Sequence, residues 1–492
     1  MEENQDKVQK KPENLLKHTW NEVSEPFINL FKAPKALWGI NLSYLIEGLC
    51  YFGILGLLTI YFNEYVGLND VDAGRMVGIL TGGITLAMVI LGGTVDRVGV
   101  RKAFILSLLF MLGGRILLAG APVFGGASGM FSSTHLIAMG GILGVIIGYG
   151  IYQPAAYAAV KKFTDAKNAA MGYAMLYAIM NLGGFLPGLI SPPVRHLTGI
   201  TGVFWVYVGL TVVGILFVLW LLSQKNVESA IEKSGGEKES KEKKPSLIAR
   251  VKGFFTDVPD TAAHAVEAQK TGIPAKIAAK VKESPFMDSR FMFFIFILIP
   301  VQTLFAHNWL TLPQYCERAF EGFVSEYFEF FVNLNPILIF ILTPTVAALT
   351  SKKHTYKMMI SGTIIMALSP FILVLGTELW ILLLYIAVLT IGEAMWQPRF
   401  LQWVAEIAPK GKTGIYMGLG QFPWFLTKIL TSMYSGWFLM NYLPKDAPQT
   451  VMNPEYMWMI YGLIAIASPL GLILARKWML KGFKERNTEE EG

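Results

Sequence analysis

The chain has 492 residues, 53% of them hydrophobic and only 16% charged, with a mean hydropathy of +0.47. That is far more apolar surface than a soluble globule of this length needs to bury, so the chain belongs in a bilayer. Its formal charge of +7 is scattered over short loops, which excludes nucleic-acid binding and makes the charge a signal of topology.

Residues 1–35 are polar and form a cytoplasmic N-terminal segment. The first apolar run is too long for the h-region of a cleavable signal peptide, so the first span is expected to act as an uncleaved insertion signal. Runs of about 20 apolar residues mark membrane spans. They fall near 36–62, 73–95, 102–121, 136–160, 169–190 and 203–222, then near 290–312, 327–350, 356–376, 379–404, 413–440 and 456–475. The expected fold is therefore an all-α membrane protein of twelve transmembrane helices in two six-helix bundles, 36–222 and 290–476. A cytoplasmic linker, 223–289, joins them, and a cytoplasmic tail, 477–492, follows. Within the linker Leu247, Ile248, Val251, Phe254 and Phe255 share one helical face, which fits either an interfacial helix or a disordered tether.

Lys32, Lys35, Arg97, Arg101, Lys102, Lys161, Lys162, Lys353, Lys410 and Lys412 lie in loops on one side of these spans, whereas the opposite loops hold few basic residues, among them Arg195, Arg318 and Lys445, beside Glu64, Asp70, Glu317, Glu321, Glu326 and Asp446. The positive-inside rule then places both termini in the cytoplasm of a multi-pass protein of the inner membrane. Cys50 lies inside a span and Cys316 in an outer loop, so neither a disulfide between them nor a metal site is expected. Gly92-Gly93 and Gly183-Gly184 sit in or at spans, where small residues let helices approach closely.

Two stretches 244 positions apart (397 − 153) vary one theme: Tyr152-Gln153-Pro154 and Trp396-Gln397-Pro398. Each falls in the fourth span of its half. An ancient duplication of a six-span unit leaves such a trace, and a ligand site is expected where the halves face each other. In the loop after span 2, Gly92-Gly93-Thr94-Val95-Asp96-Arg97-Val98-Gly99-Val100-Arg101-Lys102 resembles the Gly-x-x-x-Asp-Arg-x-Gly-x-Arg-Lys signature of the major facilitator superfamily. The resemblance implies a conformational latch built from Gly92, Asp96, Arg97, Gly99 and Arg101. The equivalent loop of the second half, Ser351-Lys352-Lys353-His354, lacks the Asp.

Further segments are similar to the proton-dependent oligopeptide transporter family. Tyr177-Ala178-Ile179-Met180-Asn181-Leu182-Gly183 matches a Tyr-x-x-x-Asn-x-Gly signature, Asn335-Pro336 an Asn-Pro step, and Gly392-Glu393 a Gly-Glu pair whose Glu belongs to the family's binding and coupling machinery. The span-1 motif Glu-x-x-Glu-Arg-Phe-x-Tyr-Tyr-Gly reads here Tyr44-Leu45-Ile46-Glu47-Gly48-Leu49-Cys50-Tyr51-Phe52-Gly53. Its Arg has become Gly48, and the Lys of span 4 has become Gln153. In the family those cations would hold a peptide carboxylate, so a smaller or less acidic solute than a free peptide is favoured.

Glu47, Arg115, Glu393 and Lys428 are charged residues deep in spans, where charge is costly and kept for function or pairing. Glu47 lies about 16 Å along span 1 and Glu393 about 21 Å along span 10. Two readings stay open: carboxyls that load and release a proton because desolvation favours the neutral acid, or fixed pairs with Arg115 or Lys428. Proton coupling is thus expected at Glu393 and Glu47. Substrate binding is expected at Tyr51, Tyr152, Gln153, Tyr177, Asn181, Asn308, Asn335, Trp396, Gln397, Trp424 and Lys428. His307 is either a second proton carrier or a structural or outer-vestibule histidine.

The resemblance implies a secondary active transporter working by alternating access, a proton-coupled symporter of a small peptide-like or other polar solute. An exporter of amphipathic drugs or lipids on the same fold is the alternative. The expected partners are a small-molecule substrate, protons and the lipid bilayer; the chain is expected to be a monomer with no cofactor. It is not expected to be an enzyme, since the loops carry no nucleophile-base or metal constellation.

Overall fold

The computed structural model describes residues 34–164, 169–234, 287–350, 353–407, 416, 419–420 and 422–491. Their regular structure is helical throughout, as it must be for segments that satisfy every backbone hydrogen bond internally in lipid. Spans 1 to 4 are Lys35–Glu64, Asp70–Leu91, Val100–Gly125 and Ser133–Phe163. Asn69 caps span 2 by accepting from the Asp72 amide at 2.9 Å, and Ser132 caps span 4 in the same way.

Among the described residues, ten stretches are long and apolar enough to cross a membrane. One of them, Met175–Leu221, has 47 residues and would run about 70 Å as a single helix, twice what a bilayer needs. It is broken at Gly199, whose φ of 72° and ψ of −178° no helix residue adopts. Residues 187–198 therefore complete span 5, begun by Ala169–Phe185, and residues 200–221 are span 6. Phe422–Tyr442 is the remaining span, which makes ten plus one plus one. The protein is a multi-pass membrane protein with the twelve-helix arrangement expected.

The second half repeats the plan with more interruptions. Span 7 is Ser289–Ile297 and Ile299–Leu310, and Leu312–Ala319 forms a short helix beyond it. Span 8 is Phe328–Val332 and Leu334–Thr350; span 9 is Thr355–Leu368 and Pro370–Leu373. Span 10 is Leu379–Ile407, span 11 is Phe422–Tyr442, and span 12 belongs to Pro454–Glu491. The two halves meet chiefly where span 2 packs on span 11 and span 5 packs on span 8. A shift of six spans exchanges these two contacts, so they are what a pseudo-two-fold along the membrane normal produces.

Span 2 stops at Leu91, earlier than expected, and the latch sequence continues as a separate short helix, Thr94–Val98, closed by Gly99 at φ 82°. Gly92 lies against Pro154 of span 4, Asp96 and Arg101 are half-buried and Arg97 is exposed. In the linker, Gln224–Lys233 is a helix capped by Ser223. The face at Leu247 to Phe255 lies outside the described residues.

Candidate functional site

The expected site residues separate into two groups, one in each half. In the N-terminal half Glu47 and Arg115 are each 1% exposed. Arg115 clasps the carboxylate with both terminal nitrogens, Nη1 to Oε1 at 2.9 Å and Nη2 to Oε2 at 2.6 Å. Its Nη1 also donates to the Thr211 hydroxyl of span 6, which in turn donates to the Tyr207 carbonyl at 2.7 Å. The Tyr149 hydroxyl of span 4 donates to the Glu47 carbonyl at 2.9 Å. Spans 1, 3, 4 and 6 are knitted together at one level, and the possible pairing of Glu47 with Arg115 is made.

Packing explains why the cation comes from span 3. A Cβ on Gly48 would stand 3.2 Å from both the carbonyl and the sulfur of Met180, and one on Gly183 would stand 2.7 Å from the Leu45 carbonyl. Spans 1 and 5 therefore touch backbone to backbone, and position 48 has no room for a long side chain. Tyr152 is fully buried: its hydroxyl pairs with Ser43 at 2.8 Å and its ring stacks on Tyr44, so it belongs to the packing rather than to a cavity wall. Gln153 is only partly buried and accepts from the Tyr44 hydroxyl at 3.2 Å. Tyr51, half-buried, leans on Tyr149 with ring centroids 5.0 Å apart.

In the C-terminal half Glu393 is 3% exposed, and among the described residues its hydrogen-bond partner is neutral. Asn335 of span 8 donates to Glu393 Oε2 at 2.9 Å and to Thr390 Oγ1 at 3.1 Å. Glu393 and Lys428 form no ion pair, the second pairing left open by the sequence. Across the interface, Tyr177 on span 5 lies within electrostatic range of Glu393 and is 49% exposed. Asn181 turns its amide back to the Tyr177 carbonyl at 2.9 Å, an ordinary one-turn bond within its own helix. Trp396 is fully buried and stacks on Trp424 with centroids 6.4 Å apart, and Trp424 in turn meets Phe305. Lys428 and Gln397 are half-buried, and Asn308 is buried.

His307 has no open side. Its Nδ1 bonds Thr311 at 2.7 Å, its Nε2 bonds Tyr434 at 3.1 Å, and its ring lies 3.8 Å from that of Tyr461. It is a packing residue of spans 7, 11 and 12. Gln302, absent from the expected set, is fully buried one turn earlier on span 7: its Oε1 accepts from Thr427 at 3.1 Å while its Nε2 has no partner.

The feature that no sequence spacing announces lies at the end away from the basic loops. Arg318 donates to both carboxylate oxygens of Asp70 at 2.8 Å and to the Leu443 carbonyl at 2.8 Å. The Arg318 and Asp70 side chains are 7% and 5% exposed. Arg195 grips Glu329 at 2.5 and 3.1 Å, donates to the Glu326 carbonyl and lies over the Phe328 ring at 4.7 Å. Each pair joins the N-terminal half to the C-terminal half, so this end of the interface is latched shut. Gly53, Gly56, Ser191, Glu329 and Asn333 line a narrow crevice behind the second pair. Beside the first pair, Glu317 is held up to about 7 by burial, then by Glu64, against the opposing pull of Arg318, Arg195 and Lys445.

Two six-helix halves that meet through spans 2, 5, 8 and 11, with a buried acid on span 10, agree with comparisons to known proteins. The dipeptide and tripeptide permease A of Erwinia pyrifoliae is 23% identical over 511 residues, 94% of this chain and 97% of the relative. That of Salmonella typhimurium is 23% identical over 485 residues, 91% and 92% of the two chains. Among solved structures, a peptide transporter POT in complex with sulfate has a TM-score of 0.68 at 18% identity, covering 91% of this chain and 96% of that one. A POT family transporter in complex with 5-aminolevulinic acid has a TM-score of 0.65 at 17% identity, covering 91% and 97%. Residues 40–432 match the family described as Major Facilitator Superfamily, and it is to this family that the chain belongs.

Proposed function

We propose that the protein is a secondary active transporter that carries a small peptide-like solute together with protons by alternating access, and that Glu393 is its coupling carboxyl. One observation carries this reading. Glu393 is buried at mid-span with a neutral donor as its hydrogen-bond partner, so its charge can be removed without stranding a counter-ion. The relatives are permeases for di- and tripeptides, which favours a peptide-like solute over the amphipathic cargo of an exporter.

The site binds with the neutral groups of Gln153, Gln397, Tyr51, Tyr177, Asn335 and the Trp424 ring, drawn from both halves, and with Lys428 of the C-terminal half as a cation. Polar groups of this kind in an apolar pocket orient a ligand without a salt bridge. The chain works as a monomer in the inner membrane, with both termini in the cytoplasm and the ion-paired end outside. The structure is then an inward-facing or occluded form, and Gly92 to Arg101 is the latch of the opposite state.

The test is uptake into proteoliposomes with and without an inward proton gradient. Wild-type protein accumulates solute only with the gradient, whereas Glu393→Gln loses accumulation and keeps exchange. Accumulation against a gradient by Glu393→Gln refutes the assignment.

A further inference from the structure

Two acids lie deep in the spans, and their surroundings differ in kind. Glu393 meets Asn335 and, through space, Tyr177. Glu47 meets a full positive charge through two short bonds, and the cation itself is held by Thr211. The other titratable groups facing Glu47 are Cys50 on its own helix and Tyr149 and Tyr152 on span 4. All are neutral acids. Protonating Glu47 would leave the Arg115 charge in an apolar interior with no counter-charge, which is the costly way to break a buried pair.

The pair also shows no route by which it exchanges partners. Arg115 is fixed from behind, because a Cβ on neighbouring Gly114 would lie 2.6 Å from the Gly141 carbonyl. Spans 3 and 4 therefore meet backbone to backbone at this level. Gly48 and Gly183 bring span 5 onto span 1 beside it. Both charges belong to the same half, so a rigid-body movement of one half against the other leaves their geometry unchanged.

We infer that proton coupling in this carrier runs through the C-terminal half alone: Glu47 stays ionised through the whole cycle as the fixed counter-ion of Arg115, and one proton per solute binds and leaves Glu393. This departs from the expectation that Glu47 is a second coupling carboxyl. It rests on the reading of the protein as a proton-driven carrier. The proton enters onto the Glu393 carboxylate from the outer side and departs to the cytoplasm, with no net change at Glu47 or Arg115.

The test combines transport with infrared difference spectroscopy of the purified protein. In proteoliposomes the proton-to-solute ratio of the wild type, read from the reversal potential, is one, and a ratio of two overturns the inference. The neutral double variant Glu47→Leu/Arg115→Leu keeps the wild-type pH midpoint of uptake, and its selective loss of accumulation with exchange intact also overturns it. Where that variant does not fold, the protonated-carboxyl band of the full-length wild type decides. Glu393→Gln removes the pH-dependent band of the membrane interior, and a second band that survives in Glu393→Gln and shifts in Glu47→Asp overturns the inference. Failure of the wild type to accumulate any solute under a proton gradient would count against the carrier reading instead, and the infrared result still decides the charge of Glu47.

Discussion

Replacing Asp70 by Asn removes the carboxylate that Arg318 holds with two bonds of 2.8 Å. It leaves a guanidinium that is 7% exposed without its counter-charge. Removing one member of a buried pair costs about 3–5 kcal/mol. The Leu443 carbonyl, which belongs to the same half as Arg318, keeps its bond at 2.8 Å, so the lower end of that range applies. Because Asp70 and Arg318 lie in opposite halves, the cost falls on the closed form and not on the form in which this end is open. A loss of about 3 kcal/mol shifts that equilibrium by roughly a hundredfold. Spin labels at Phe131, in a loop of the N-terminal half, and Phe323, at the start of the short helix Phe323–Glu326 of the C-terminal half, 74% and 57% exposed, report the change. Asp70→Asn is expected to move the distance distribution to longer separations, and the charge exchange Asp70→Arg/Arg318→Asp to restore part of the short population. An Asp70→Asn distribution that overlays the wild type would refute the reasoning.

The same labels test the pH dependence of this end. Glu317 is held near 7 in the closed form by burial and by Glu64. In an open form its carboxyl faces water and titrates in the ordinary carboxylate range. The closed form therefore binds more protons, so closure is fully supported below the ordinary range and weakens as pH rises through about 7. In a Glu393→Gln background, the short distance should dominate near pH 5.5 and fall off by pH 8.5, and Glu317→Gln should flatten the curve; a flat curve with Glu317 present rejects the assignment. For the solute, dipeptide amides should raise the melting temperature of the purified protein more than free dipeptides, since Gly48 and Gln153 stand where the family's carboxylate-binding cations would be. Stronger stabilisation by ordinary dipeptides overturns that argument.

The twelve spans and their six-plus-six division were legible in the sequence because the bilayer fixes the length of every apolar run and because duplication left Gln153 and Gln397 at equivalent places. The same physics flagged Glu47, Arg115, Glu393 and Lys428, since charge in a span is too costly to be accidental. Which of them pair was not legible. Arg115 reaches Glu47 across 68 positions of sequence, and Lys428 makes no ion pair with Glu393. That outcome depends on how closely Gly48 and Gly183 let spans 1 and 5 approach. Likewise Tyr152 and Trp396 read as cavity aromatics from their place in the repeat, yet both are fully buried, because side-chain direction around a helix depends on what its neighbours are. The ion pairs Asp70–Arg318 and Arg195–Glu329 join residues 248 and 134 positions apart. Composition determined that this chain spans a membrane; the packing of one half on the other decided where it is shut and which acid has no counter-charge.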